Sequence, residues 1–207
     1  MNGQGLTALQ LDALREISHI GMGQGATALS QLLSERIELR VPRVAEVDIA
    51  QVPELLGGAE TPVVGMTLQI LGDARGDLLL LLSQASARQL LSRLLGRSHP
   101  GPELVLDELG TSALQELANI LASVYLSALG DLLGIALLPS PPSLAADMLG
   151  AIVDDILIAQ CLDGDTVLMV ETEFVGAPQA TEAMVGHLFL LPAPSLLAAL
   201  NRRLGEA

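Results

Sequence analysis

Residues 15–30 read REISHIGMGQGATALS, a glutamate and a histidine one turn apart followed by three alternating glycines, Gly21, Gly23 and Gly25. Glycines so arranged suggest a phosphate-binding loop, but that motif must follow a strand and open a helix. Here the preceding residues give the opposite context. Leu11, Leu14, Ile17 and Ile20 recur near helical spacing, so the periodicity predicts one helix from Thr7 to Ser34, running through the glycines. Glycine inside a helix costs up to about 1 kcal/mol relative to alanine. Close packing against a neighbouring helix or strand explains why the cluster is there.

Working outward, RIELRVPRVAEVDI, TPVVGMTLQIL and RGDLLLLLS read as strands, the last two joined by a Gly-Asp-Ala turn. SQASARQLLSRLLG reads as a helix opened by a serine cap and closed at Gly96. The order then repeats. A long helix is expected from about Val105 to Leu133, strands near Ile152–Cys161, Thr166–Val175 and Met184–Leu191, and a helix from Ser195 to Leu204.

A shift of 100 positions lays Asp12–Pro42 over Ser112–Pro142 without a gap, with nine identical pairs. Most are apolar residues that two equivalent core helices would share. The pair Glu16/Glu116 is more informative, since no core requires a carboxylate. The expected fold class is therefore α+β: a single pseudo-twofold domain over 1–207, with halves of about 7–98 and 103–205. Two equivalent long helices pack with a sheet built from both halves.

Composition narrows the function. The 207 residues are half apolar, enough for a substantial core, yet include no Trp, one Tyr and two Phe, so aliphatic side chains must fill it. The formal net charge of -14 would repel a phosphate backbone and argues against nucleic acid as a partner. No run approaches the ~18 uninterrupted apolar residues of a membrane span, and the N-terminus lacks the pattern of a secretion signal. The single Cys161 forms no internal disulfide and is read as buried in a strand. A reducing, cytoplasmic setting is expected. His19, His99 and His187 have no metal-ligand spacing, and Asp154–Asp155 and Asp163–Asp165 read as strand-end and turn carboxylates.

In the first long helix Asp12, Glu16 and His19 stand at i, i+4 and i+7; in the second Ser112, Glu116 and Asn119 repeat the spacing. Each set shares one helical face. A solvated face is the plainest explanation for one such helix. Recurrence in the second copy weakens it, as does Asn119, a poor helix former among Ala, Leu and Ile.

This pattern resembles that of the CheC-type chemotaxis phosphatases, a family that includes CheX and FliY: Asp or Ser, three residues, Glu, two residues, Asn, then twenty-two residues and Pro. Ser112, Glu116, Asn119 and Pro142 match fully; Asp12, Glu16 and Pro42 match the first copy, with His19 in place of Asn. The resemblance implies an enzyme that dephosphorylates the aspartyl phosphate of a CheY-type response regulator. Glu116 would anchor the regulator's active-site lysine and Asn119 would position water, with Glu16 and His19 as an altered second site. It implies no cofactor or metal of the protein's own, because Mg²⁺ is carried by the regulator.

Three outcomes stay open for His19: a weak site, a binding-only site or a structural histidine. The rival function is a non-catalytic adaptor that binds a phosphorylated regulator or the deamidase CheD at the chemotaxis or flagellar switch apparatus. A FliY-like switch component would add a C-terminal module and an N-terminal targeting peptide. Their expected absence favours the stand-alone CheC form.

Overall fold

The computed structural model describes residues 7–33, 36–96, 104–160, 166–175 and 184–204. Helix α1, Ala8–Leu33, passes unbroken through the glycine cluster. Its start is a capping box. Gln10 N donates to Thr7 Oγ1 at 3.3 Å and Thr7 N donates back to Gln10 Oε1 at 2.8 Å, so two otherwise orphaned amides are satisfied together. Strand β1, Glu38–Asp48, leads through a short 3-10 turn into α2, Val52–Leu55. Strands β2, Pro62–Gly72, and β3, Gly76–Ser83, then form a hairpin. Ser83 caps α3, Gln84–Leu95, which ends at Gly96 in the left-handed conformation, φ 59°.

The second half repeats this order. Helix α4, Glu108–Leu133, starts where Asp107 accepts from Gly110 N at 2.7 Å. It is followed by β4, Leu137–Pro139, β5, Ser143–Met148, and α5, Leu149–Gln160. Strands β6, Thr166–Val175, and β7, Met184–Pro192, precede α6, Pro194–Leu204. Together β4 and β5 stand where β1 stands in the first half, and α5 stands where α2 does.

Residues 152–160 depart from the expected strand. They are helical, and the reason lies in packing: Ile152, Val153 and Ile156 are buried at i, i+1 and i+4, while Asp154 and Asp155 remain exposed. Cys161, Asp163–Asp165 and His99 lie outside the described residues.

All strands join one antiparallel sheet in the order β1-β6-β7-β3-β2-β4, with β5 also on β2. The halves exchange their outer strands. Strand β1 of the first half pairs with β6 of the second, Arg43 facing Glu171; β5 of the second half pairs with β2 of the first, Ser143 facing Thr67. In the middle, β3 and β7 pair with Leu79 against Phe189 and Leu81 against His187.

Each sheet face is covered by helices. Leu78, Leu80 and Leu82 enter the core cluster shared with α1, α3, α4 and α6, whereas Leu79 and Leu81 enter the one shared with α5. This two-sided burial is why β3 reads as an unbroken leucine run instead of alternating with polar residues. Tyr125, Phe174 and Phe189, the whole aromatic complement, are among the largest fully buried side chains. Helix α4 is long and apolar enough to cross a membrane by composition. One face of it, including Leu114, Leu117, Leu121 and Leu129, is buried in the protein's own core.

Candidate functional site

Helices α1 and α4 lie against one another in opposite directions, as the glycine contacts show. A Cβ at Gly21 would stand 3.3 Å from Tyr125 Cα and 3.3 Å from Val124 O; one at Gly25 would stand 3.2 Å from Val124 Cγ2 and 3.4 Å from Leu121 Cδ2. Gly21 and Gly25 therefore carry the close packing expected from the sequence. Gly23 does not, since it is exposed and a Cβ there would meet nothing within 4 Å. The seam is asymmetric: Tyr125 on α4 occupies the position whose counterpart on α1 is Gly25.

At 3.6 residues per turn, Glu16 and His19 fall nearly opposite Gly21 and Gly25 on α1. On α4, Glu116 and Asn119 likewise fall well away from Leu121, Val124 and Ala128 at the seam. The two motif faces thus point to opposite flanks of the helix pair. Both carboxylates, Glu16 and Glu116, are exposed; His19 is exposed and Asn119 half-buried. Beside His19, Ile20 keeps half of its surface in solvent. Around the first motif Arg15 reaches Asp12 at 3.4 Å, an exposed pair of the kind that adds little stability.

The surroundings of the second motif include two residues whose connection the sequence did not signal. Each motif proline stands in a sheet irregularity, since proline cannot donate to a ladder. The β1–β6 register breaks between Arg40 and Arg43, around Pro42. On β2, two residues, Leu68 and Gln69, face three in the corner between β4 and β5, Ser140–Pro142. The Pro142 carbonyl accepts from Gln115 Nε2 at 2.9 Å, which ties this corner to α4 directly beside Glu116. Gln115 and Pro142 are 27 positions apart, and no local pattern links them.

Among the remaining histidines, His187 lies in β7 as expected, and burial pushes its pKa down to about 4. Among the described residues no group of three or more His, Cys, Asp or Glu side chains is placed to hold a metal ion.

A duplicated α+β domain with strand exchange between its halves, bearing matched acidic-polar motifs on its two longest helices, is the class of protein these features define. A family model described as the CheC-like family matches residues 109–145, the stretch that carries Ser112, Glu116, Asn119 and Pro142. The chain is 34% identical over 193 residues to the Bacillus subtilis protein named CheY-P phosphatase CheC, covering 91% of this chain and 90% of that one. Its fold is similar to the crystal structure of Thermotoga maritima FliY, with a TM-score of 0.77 at 24% identity over 98% of this chain and 99% of the other. A FliM–SpeE complex from H. pylori contains a chain of like fold, with a TM-score of 0.74 at 12% identity over 98% and 97% of the two chains. The protein belongs to the CheC-like family.

Proposed function

We propose that this protein is a phosphatase acting on the aspartyl phosphate of a CheY-type response regulator in the cytoplasm, through Glu116 and Asn119. One observation carries the reading: a stiff, twice-capped helix presents an exposed carboxylate and an amide one turn apart on a flank free of the helix seam. Membership in a family whose B. subtilis relative is named a CheY-P phosphatase supports it.

Phosphoryl transfer makes modest demands on such a site. It is catalysed almost entirely by positioning and electrostatics. Water attacks phosphorus in line with the bond to the aspartyl oxygen; that bond breaks, and the aspartate leaves as a carboxylate. The Mg²⁺ that neutralises charge belongs to the regulator, so the phosphatase supplies no metal, nucleophile or cofactor. An asparagine amide both donates and accepts hydrogen bonds without charge, and can orient water without repelling phosphoryl oxygens. Glu116 anchors the complex by pairing with the regulator's lysine. Glu16 and His19 form a second, weaker site, because imidazole is bulkier and becomes a cation when protonated.

The test is decay of phosphorylated regulator with the protein at a small fraction of its concentration. Multiple turnovers with accelerated decay support the phosphatase. Stoichiometric binding with unchanged decay would instead favour an adaptor, with the regulator or CheD as its ligand.

A further inference from the structure

We infer that Gln115 is a positioning residue of the second site: it holds the Ser140–Pro142 corner against α4 and so fixes the wall beside which Asn119 works. The inference rests on the phosphatase reading given above. Pro142 falls between the registers of β4 and β5 and has no partner residue on β2; it is half-buried, and a buried carbonyl without a hydrogen-bond partner is costly. Gln115 Nε2 meets the Pro142 carbonyl at 2.9 Å. The corner is held from the other side as well, where Ser140 N donates to Gln69 O and Gln69 N donates to Ser140 Oγ, both at 2.9 Å. It is thus pinned between β2 and α4.

Gln115 and Asn119 are four residues apart and share one side of α4. Gln115 brings the tethered corner to that side of α4, and Asn119, one turn further on, is half-buried. The first copy offers the contrast within the same molecule. Position 15 is arginine, its guanidinium turned to Asp12, and its motif residue His19 is exposed. The copy with the intact Glu-x-x-Asn motif is also the copy whose proline corner is tied to the helix.

The experiment measures kcat and KM for dephosphorylation of phosphorylated regulator by Gln115→Glu, an isosteric change that removes the donor, and by Gln115→Lys, which retains one. Thermal melts serve as controls for folding. The expected result is a fall in kcat of about ten-fold for Gln115→Glu with KM within about two-fold, and recovery of most of the loss in Gln115→Lys. Wild-type kcat in Gln115→Glu, or equal losses in both variants, overturns the inference while leaving the phosphatase reading intact. A wild-type protein without turnover removes that reading, and this one with it.

Discussion

Leu80 of β3 pairs directly with Leu188 of β7, and each is the fifth residue of its strand in its own half. The pseudo-twofold axis therefore passes between two leucines that are each other's counterparts, with Leu79–Phe189 on one side and Leu81–His187 on the other. Outward of this pair each flank continues with the second strand of the same half and ends in a strand supplied by the other half.

Because β1 is held by β6 and β5 by β2, neither half has a complete sheet of its own. Residues 1–100 and 101–207 produced separately are expected to show no cooperative melt. Mixed or co-expressed, they should regain one. Circular dichroism through a thermal ramp is the measurement, and a cooperative transition in either isolated half would refute the shared-sheet account.

For activity, Asn119→Ala should lower turnover of phosphorylated regulator by at least about ten-fold, the scale of losing a positioned group. His19→Ala should change it by less than about two-fold, because the uncharged amide is the better positioner of water. Phosphate release from purified regulator gives both numbers. Equal losses in the two variants would reverse the ranking of the sites.

The three glycines of α1 predict three different stabilities. Gly23→Ala enters open space and should stabilise by about 0.5–1 kcal/mol, the helix-propensity difference. Gly21→Ala presses on the α4 backbone at 3.3 Å, which cannot yield readily, and should destabilise by about 1–3 kcal/mol. Gly25→Ala meets only side-chain ends, of Val124, Leu39 and Leu121, and should fall between. Urea denaturation of the three variants tests the order; a stabilised Gly21→Ala would contradict the close helix approach.

His187 gives a pH dependence with a definite sign. Its pKa falls from 6.5 to about 4 on burial, so the unfolded chain binds the proton more readily. Stability is therefore intact above about pH 6.5 and declines as pH drops toward 4. Glu171 is the carboxylate that the register sets beside it on β6. Between pH 7 and pH 5 the loss from this one group is on the order of 2 kcal/mol. His187→Gln should lose that much less stability over the same interval in urea titrations, whereas parallel pH profiles would show that the ring titrates normally in the fold.

Much of this architecture is legible in the residues themselves. The spacing of Leu11, Leu14 and Ile17 carries α1 across its glycines, and Ser83 and Gly96 delimit α3. The motif residues stand out because a glutamate recurring 100 positions on has no packing role. Where local pattern and tertiary context part, the reading fails. Ile152–Gln160 is rich in strand formers and is nonetheless helical, because Ile152, Val153 and Ile156 pack as one face on the sheet. Strands β4 and β5 escape notice because Ser140–Pro142 interrupts them and the small, exposed Ala145 and Ala146 erase the alternation. The Gln115–Pro142 bond joins residues too far apart for any local rule.

The exchange of outer strands also bears on how the copies can drift apart. A half whose motif carries His19 where the other carries Asn119 is still obliged to supply the neighbour's edge. Selection can relax on what α1 does, yet not on where it sits. Whatever its own chemistry, the first copy is part of the frame in which the other one keeps its shape.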